Sequence, residues 1–263
     1  MNPDEAINAN DLFSIKGKVA LVTGGSRGIG LMIARGFIES GAKVYISSRK
    51  KEVCDETARQ LSEIGECVSL PTDLSTAQGC QSLAEELKAR EPELHILVNN
   101  AGAVWGAPLE EFPESAWDKV MDTNVKGVFF LTQHLIPLLE KGARPGDPAR
   151  VINIGSIDGL RVPTVENYSY SPSKAAVHHL TRVLAVTLGD RNITVNAVAP
   201  GPFESQMMKW TLENFRSQIE AHCPLKRIGA PSDMAGVAIY LASRAGAYVN
   251  GAVIPVDGGI SIK

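Results

Sequence analysis

Short apolar runs recur along this chain at the spacing of strands that are separated by helices. Two of them, residues 19–22 and 96–98, contain no polar side chain at all. A strand is apolar on both sides when helices cover both faces of its sheet, which is typical of parallel sheets. The pattern predicts strands at residues 19–23, 43–47, 67–71, 94–98, 150–154, 194–199 and 253–256.

Between these strands, apolar residues recur with the one-sided spacing of helices. Ile29, Ile33 and Phe37 share one helix face, and Gly41 follows as a stop signal. A second apolar face runs through residues 177–188 and ends before a glycine. The alternation predicts an α/β fold with a doubly wound, parallel, seven-stranded sheet and right-handed crossovers.

The bulk properties favour one domain. A length of 263 residues suits a single large α/β domain, which we place at residues 16–263 after a flexible N-terminal tail at residues 1–15.

A net charge of -3 gives no sign of a nucleic-acid partner. No apolar run reaches the roughly 20 residues that span a bilayer, so we expect no membrane partner. The widely spaced cysteines favour reduced thiols and, with an N-terminus unlike a secretory signal, a cytoplasmic location.

A glycine cluster follows the first predicted strand, where residues 23–30 read TGGSRGIG. At a turn from a strand into a helix, Gly24, Gly28 and Gly30 would let the backbone approach a pyrophosphate closely. The N–H groups at the start of the helix would then bind the phosphate oxygens. A plain tight turn is the alternative, but the strand–turn–helix context favours dinucleotide binding.

The end of the second predicted strand distinguishes NAD from NADP. An NAD site usually carries Asp or Glu about 20 residues after the glycines, where the carboxylate binds the ribose 2′-hydroxyl. Here residues 47–50 read SSRK, without a carboxylate. Arg49 can pair with a 2′-phosphate, and Arg27 can supply a second cation. We therefore predict NADP(H); the alternative is that Arg49 and Lys50 belong to a solvated helix start.

Four short motifs occur in order along the chain, and together they resemble the short-chain dehydrogenase/reductase family. They are Thr23-Gly24-x-x-x-Gly28-x-Gly30, Asn99-Asn100-Ala101-Gly102, Tyr170-x-x-x-Lys174 and Pro200-Gly201. The resemblance covers residues 16–263. It implies a single Rossmann-type domain, an oxidoreductase activity on alcohol or carbonyl groups, and a homo-oligomer that is a dimer or a homotetramer.

The resemblance also implies which residues bind the cofactor. Asp73 and Leu74 would hold the adenine, and Asn100 would line the ribose side of the groove. Phe203 and Ser205 would contact the nicotinamide carboxamide, although the family more often has Thr near Ser205. The full predicted set is Gly24, Ser26, Arg27, Gly28, Ile29, Gly30, Arg49, Asp73, Leu74, Asn100, Ala101, Gly102, Tyr170, Lys174, Pro200, Gly201, Phe203 and Ser205.

Tyr170 and Lys174 form a candidate proton-transfer pair. Because they are four residues apart, they share one helix face, and Pro172 between them is tolerated in the first turn of a helix. A nearby ammonium lowers the pKa of a phenol from its usual value of about 10, so we predict that Tyr170 is a general acid. Ser156 follows the fifth predicted strand and can donate to the oxyanion that forms.

The resemblance adds Asn124, at the family position that holds a water in the proton relay, to Ser156, Tyr170 and Lys174. The separation of Ser156 from Tyr170 is 14 positions, one more than the family usually shows, and we assign the extra residue to the loop 159–167. A family member that binds cofactor without catalysis is the alternative.

Tyr168 offers a second phenol close to Tyr170. Four positions beyond Tyr168 lies Pro172 and not a base, so Tyr170 is preferred and Tyr168 is interpreted as an aromatic residue of the loop or substrate pocket. We predict no metal site. The adjacent residues His178 and His179 cannot share a helix face, and we interpret them as helix-surface residues.

Apolar residues flank the predicted site, including Val104, Trp105, Leu160 and Val162. The stretch 203–215 contains several Met and aromatic residues, and we interpret it as a mobile lid over a hydrophobic pocket. Ordinary helix packing is an equal alternative, because an apolar helix stripe usually belongs to a core.

Within the family, the chain is most similar to 3-oxoacyl-[acyl-carrier-protein] reductases, including those of rhamnolipid biosynthesis. The shared stretches are residues 22–30, 99–106, 151–156, 171–176 and 254–259. The implied reaction is the NADPH-dependent reduction of a 3-oxoacyl thioester, on an acyl carrier protein or on CoA, to the 3-hydroxyacyl form.

Arg191 matches a family position that is linked with carrier docking, and an exposed arginine at a helix end is the alternative. Ile260 and Ile262 would suit burial at a subunit interface. Two other functions stay open. One is an NADP-dependent dehydrogenase of sugars, steroids or other secondary alcohols, and the other is an NADP(H)-binding sensor or scaffold without turnover.

Overall fold

The computed structural model describes residues 8–163 and 165–263. Its centre is a sheet of seven strands, all parallel, in the order β3-β2-β1-β4-β5-β6-β7. The strands are β1 Val19–Thr23, β2 Lys43–Ser47, β3 Cys67–Ser69, β4 Ile96–Asn99, β5 Ala149–Ile154, β6 Ile193–Pro200 and β7 Val253–Val256. The strand order reverses between β1 and β4, which is where doubly wound sheets open a crevice for ligands. The predicted fold class is confirmed.

Helices cover both faces of the sheet. They are α1 Ala9–Leu12, α2 Gly28–Glu39, α3 Lys51–Leu61, α4 Ala77–Arg90, α5 Glu114–Met121, α6 Gly127–Gly142, α7 Tyr170–Leu188, α8 Lys209–His222 and α9 Pro231–Ala242. Helices α2, α3 and α9 pack against one face, and α4, α6 and α7 pack against the other. Strand β1 shows why its sequence is wholly apolar, because Ala20 and Val22 enter the first core while Val19 and Leu21 enter the second.

Four strands differ from their predicted bounds because pairing, and not hydrophobicity, sets where a strand begins and ends. Edge strand β3 stops at Ser69, where its register with β2 ends, although the apolar run continues. Strand β4 begins at Ile96, since the N–H of Leu94 bonds to the carbonyl of Leu138 in α6. Strands β5 and β6 extend beyond the predicted ends because each pairs with a neighbour on both sides.

The predicted N-terminal tail lies partly outside the described residues, since residues 1–7 are not among them. Within the remainder, the side chain of Asn8 caps the short helix α1. Ile15 is fully buried in the core beside α2 and α9. The packed domain therefore begins before Lys16, because one large apolar side chain of the predicted tail fills the core.

Two further features bear on the sequence expectations. All four cysteines are unbridged and buried. Among residues 8–163 and 165–263, no helix is long and apolar enough to cross a membrane.

A buried arginine joins the sheet to the C-terminal end of α9. Arg150 in β5 is 1% exposed, and its guanidinium donates to the carbonyls of Leu241 and Ser243 at 3.0 Å and to Asp147 at 2.9 Å. Lys18 donates to the same Asp147 oxygen at 2.9 Å and to Ala242 at 3.2 Å. The carbonyls of Leu241 and Ala242 belong to the last turn of α9, whose carbonyls a helix leaves without intrahelical partners and where positive charge is favourable.

Replacing Arg150 with Met should lower the free energy of unfolding by about 3–5 kcal/mol, because the Leu241 carbonyl is left without a donor and Asp147 and the Ser243 carbonyl each lose one of two donors. Urea denaturation measures this change. The matched control is Arg35→Ala, which breaks only an exposed pair with Glu39 and should cost about 0.5 kcal/mol or less. An Arg150→Met variant as stable as the control would show that the network is dispensable.

Candidate active site

The glycine loop between β1 and α2 has a backbone that only glycine permits at several positions. Gly24 and Gly28 adopt left-handed φ values of +64° and +53°. A Cβ at Gly30 would lie 2.3 Å from the carbonyl oxygen of Gly24. Helix α2 begins at Gly28, so its first N–H groups open toward the crevice beside this loop. The loop is therefore shaped for close approach of a phosphate.

Asn100, immediately after β4, holds this loop in place. Its side-chain amide donates to the carbonyls of Thr23 at 2.8 Å and Gly24 at 3.3 Å. The hydroxyl of Thr23 accepts from the N–H groups of Asn100 and Ala101 at 2.9 and 3.0 Å. Sequence reasoning assigned Asn100 to the ribose side of the groove; the structure shows that its amide shapes the groove by binding the loop backbone.

The two arginines predicted for the 2′-phosphate differ from most other arginines of the protein. Arg27 and Arg49 are exposed and make no ion pair within residues 8–163 and 165–263. Surface arginines such as Arg35 and Arg59 instead pair with carboxylates on their own helices. The two cations follow the adjacent strands β1 and β2, whose ends lie side by side.

Two hydroxyl groups without partners lie at the end of β2, beside these arginines. The buried hydroxyls of Ser47 and Ser48 have no hydrogen-bond partner within the described part of the chain. Buried polar groups are normally paired, so these hydroxyls suit an incoming polar ligand. With the loop and the free arginines, they fit a dinucleotide that carries a 2′-phosphate.

The remaining predicted cofactor residues differ in how far they are exposed and in what they contact. Asp73 is exposed after β3, whereas Leu74 is buried in the core, so a ligand can reach only the Leu74 backbone. Gly201 continues β6, with its N–H bonded to Val256 at 3.0 Å. Ser205 faces the glycine loop, because a Cβ at Gly28 would lie 3.0 Å from the Ser205 Cβ.

The other members of that set lie on the same loops. Ser26, Phe203 and Pro200 are buried, Ile29 and Ala101 are half-buried, and Gly102 is exposed. A Cβ at Gly102 would lie 3.4 Å from the Asn124 Oδ1 and 3.8 Å from the Lys174 Nζ. The turn after β4 is therefore in van der Waals range of two predicted catalytic side chains.

Tyr170, Lys174 and Ser156 come together at the carboxyl end of β5. Helix α7 begins at Tyr170, which places Pro172 in its first turn as predicted. The Lys174 Nζ donates to the carbonyl of Ile154 at 2.8 Å and lies 5.6 Å from the centre of the Tyr170 ring. The Ser156 hydroxyl lies close enough to the Tyr170 phenol to lower the pKa of that phenol.

The protonation of this pair differs from the sequence expectation. Burial raises the pKa of Tyr170 to about 12, although the hydrogen bond with Ser156 opposes the shift and the Asp158 charge adds to it. Burial lowers the pKa of Lys174 to about 8. The predicted lowering of the Tyr170 pKa is wrong for this structure, because loss of water around the phenol is the largest effect and raises the pKa.

Asn124 lies in a π-helical turn, Asp122–Lys126, between α5 and α6. Such turns are frequent at functional sites. Its side chain accepts from the Ala103 N–H at 2.7 Å and donates to the Ala103 carbonyl at 3.0 Å and to the Ser173 hydroxyl at 2.9 Å. Asn124 therefore ties the turn after β4 to the first turn of α7.

The structure corrects the interpretation of one histidine. His179 is exposed on α7, as expected, but His178 is 3% exposed and its ring lies against Gly155 and Gly159. Helix α7 faces the end of β5 one turn beyond Lys174, which the sequence pattern could not reveal. Tyr168 packs edge-on against Phe112, with ring centres 5.8 Å apart, and so belongs to the loop.

The segment after β6 is divided between core and surface. In α8 only Leu212 is buried, while Trp210 is 66% exposed and stacks edge-on with Phe215. Met207 is 46% exposed just before the helix. Packing in the core therefore accounts for Phe203 and Leu212, whereas Met207, Trp210 and Phe215 are exposed. Within the described residues, no cluster of three or more His, Cys, Asp or Glu side chains could hold a metal ion.

Comparison with known proteins identifies the family. Residues 24–261 match the family described as Enoyl-(Acyl carrier protein) reductase. The chain is 49% identical to the rhamnolipids biosynthesis 3-oxoacyl-[acyl-carrier-protein] reductase of Pseudomonas aeruginosa, over 95% of this chain and 98% of that protein. The chain belongs to the short-chain dehydrogenase/reductase family. The predicted family and its oxidoreductase class are confirmed.

Solved structures of short-chain dehydrogenase/reductase proteins superpose closely on this fold. The Pseudomonas aeruginosa RhlG/NADP active-site complex gives a TM-score of 0.93 at 49% identity, covering 95% of this chain and 99% of that chain. A gluconate 5-dehydrogenase from Burkholderia cenocepacia, in complex with NADP and tartrate, gives a TM-score of 0.89 at 32% identity, covering 97% and 100%. Both complexes contain NADP, in agreement with the predicted cofactor.

In the free protein, Tyr170 should stay protonated well above neutral pH. Because its pKa is raised to about 12, the neutral phenol persists until the pH approaches that value. An ultraviolet pH titration of the wild type, minus that of a Tyr170→Phe variant, isolates this residue. Phenolate from Tyr170 that forms below pH about 10, the ordinary tyrosine value, would contradict this effect of burial.

Proposed function

We propose that this protein is an NADPH-dependent reductase that converts a 3-oxoacyl thioester to the 3-hydroxyacyl form. The observation that carries the proposal is the convergence of Ser156, Tyr170 and Lys174 beside a glycine loop with two unpaired arginines. A bound nicotinamide supplies the hydride. The residues of the chain bind the carbonyl, supply its proton and hold the cofactor.

Tyr170 is the proposed general acid, because its raised pKa keeps the phenol in the protonated, donating form at neutral pH. The Ser156 hydroxyl donates to the carbonyl oxygen as negative charge develops on it. Lys174 stands next to the phenol with a pKa of about 8, so its ammonium can release and regain a proton near neutral pH. Asn124 is proposed to hold the water of the relay, as the family resemblance implies. Its side chain meanwhile stays bound to Ala103 and Ser173.

Substitution of Tyr170 by Phe should lower kcat by about a hundredfold or more, since the general acid is lost. NADPH binding, measured by fluorescence titration, should stay within a few-fold of wild type. Tyr168→Phe is the matched control, because it removes a neighbouring phenol that packs in the loop. Wild-type turnover by Tyr170→Phe would exclude Tyr170 as the acid.

Arg49 and Arg27 are proposed to bind the 2′-phosphate of the cofactor. Replacing Arg49 with Ala should weaken NADPH binding by about tenfold to a hundredfold, because a charge-assisted hydrogen bond is lost, and should leave NADH binding unchanged. Arg35→Ala is the matched control, since Arg35 pairs with Glu39 on the far part of α2. Equal weakening of both cofactors by Arg49→Ala would contradict a contact with the phosphate.

The surroundings of the site support an acyl substrate over a sugar. Trp105 is 41% exposed beside the loop after β4, and Leu160 and Val162 are exposed in the loop after β5. Met207 and Trp210 present further apolar surface beyond β6. A sugar needs many hydrogen-bonding groups around it, whereas an acyl chain gains from apolar walls. We propose that the segment 203–215 acts as a lid over this chain.

An acyl carrier protein is a proposed partner, supported by the name of the Pseudomonas aeruginosa relative. Arg191 gives this no independent support, because its guanidinium pairs with Glu140 at 2.6 Å. A CoA thioester is the other candidate carrier. The unbridged cysteines support the proposed cytoplasmic location.

A homo-oligomer, dimer or homotetramer, is also proposed. Trp117, Phe129 and Val186 leave exposed apolar surface on α5, α6 and α7. The C-terminus supports this less than the sequence suggested, since Ile260 is buried within its own chain and only Ile262 is exposed. Light scattering after gel filtration measures the assembly, and a monomer would contradict the proposal.

The deciding experiment follows cofactor oxidation with a panel of substrates: acetoacetyl-CoA, a long-chain 3-oxoacyl thioester on CoA and on a carrier protein, a 1,2-diketone and a keto-sugar acid. NADPH-dependent turnover of the thioesters supports the proposal. Turnover only of the sugar acid would favour a sugar dehydrogenase, an alternative that the likeness to a gluconate 5-dehydrogenase keeps open. NADPH binding without turnover of any compound would favour a sensor or scaffold.

A further inference from the structure

One face of α7 holds the end of β5 at three points. Lys174 donates to the Ile154 carbonyl at 2.8 Å, and Thr181 accepts from the Asn153 amide at 2.9 Å. Between them, one turn from Lys174, the His178 Nε2 accepts from the N–H of Ser156 at 3.5 Å. Residues at these spacings share one side of a helix.

The N–H of Ser156 has no other acceptor within the described residues because it lies just past the sheet. The register of β5 with β6 ends at Ile154 and Val198, and the N–H of Gly155 still bonds to the Val198 carbonyl at 2.7 Å. Ser156 is the next residue and is 8% exposed. A buried N–H that loses its partner costs substantial free energy, so the acceptor at this point matters.

Two glycines make the space for the imidazole. A Cβ at Gly155 would lie 2.1 Å from the His178 Nε2, and a Cβ at Gly159 would lie 2.8 Å from its Cε1. Gly155 precedes Ser156, and Gly159 ends the short helix Ile157–Gly159 that follows it. The ring is therefore enclosed by the backbone on both sides of Ser156.

We propose that His178 is a positioning residue that fixes the backbone of Ser156, so that the Ser156 hydroxyl faces Tyr170. The inference deepens the proposed function, on which it rests. His178 acts as the neutral Nδ1–H tautomer, because Nε2 must be free to accept, and its buried Nδ1 has no hydrogen-bond partner within the described residues. Burial, with the positive charges of Lys174 and Arg182, lowers the pKa of His178 to about 4, which is consistent with a neutral ring. The Ser156 hydroxyl is held from the other side by the N–H of Asp158 at 3.1 Å.

Replacing His178 with Leu should lower kcat by about tenfold to a hundredfold, because the Ser156 N–H is left unpaired and the hydroxyl loses its fixed direction. KM for the carbonyl substrate and the dissociation constant of NADPH should stay within about threefold, since neither depends on charge development at the oxyanion. His178→Gln should restore most of kcat, because its Oε1 can take the place of Nε2.

The matched control is His179→Leu, which changes the adjacent, exposed imidazole and should leave kcat unchanged. A second variant, Gly155→Ala, should reproduce the kcat defect by pushing the ring away. Combined with His178→Ala it should add little further loss, because both changes remove one contact. A folded His178→Leu variant with wild-type kcat, or a Gln variant no better than Leu, would overturn the proposal.

A measurement without turnover separates this inference from the proposed function. Long-range nitrogen–proton NMR of the wild type at neutral pH reports which ring nitrogen of His178 carries the proton, with assignment from His178→Gln. The Nδ1–H tautomer is expected, and an Nε2–H tautomer would overturn the contact whatever the substrate. If the wild type reduced no carbonyl compound, the proposed function would fail while this result still decided the role of His178.

Discussion

The hydrogen bond from the Lys174 ammonium to the Ile154 carbonyl joins the two elements on which the whole site depends. It ties the first turns of α7 to the end of β5. Because Tyr170 begins that helix and Ser156 follows that strand, the same bond brings the phenol and the hydroxyl to one place. The strand lies inside a sheet covered on both faces, paired with β4 and β6, so the position of its end is fixed by the core on either side.

Burial of this junction sets its proton chemistry. The removal of water raises the pKa of Tyr170 and lowers that of Lys174, so both groups are shifted toward their neutral forms. A protonated phenol is the form that a reductase needs, because the alkoxide that follows hydride addition takes its proton. The raised pKa of Tyr170 keeps the proton on the phenol at neutral pH, which is the form that the proposed general acid requires.

The two halves of the crevice are shaped by different forces. The cofactor half is formed by glycines in left-handed backbone conformations and by arginines that pair with no carboxylate within the described chain. On the substrate side, exposed apolar side chains dominate, among them Val162 and Trp210. The crevice would thus offer a polar surface to the phosphates of the dinucleotide and an apolar surface to the acyl chain of the proposed substrate.

The sequence by itself determined the fold class, because purely apolar strands such as 19–22 can be buried only between two helical layers. It also determined the glycine loop and the Tyr170–Lys174 pair, because the residues of each motif are so close in sequence that local structure alone brings them together. Tertiary structure alone decided features that depend on distant parts of the chain. The strand ends were set by pairing, and the raised Tyr170 pKa was set by burial that no local pattern shows.

His178 is the clearest case of the difference. Adjacent histidines on a helix indicate only that they point in different directions, and the sequence could not say which one faces the strand. The packing of α7 on β5 buried His178 against two glycines and left His179 in solvent. Sequence periodicity reports which residues share a face, whereas the docking of that face on a partner element decides what each side chain touches.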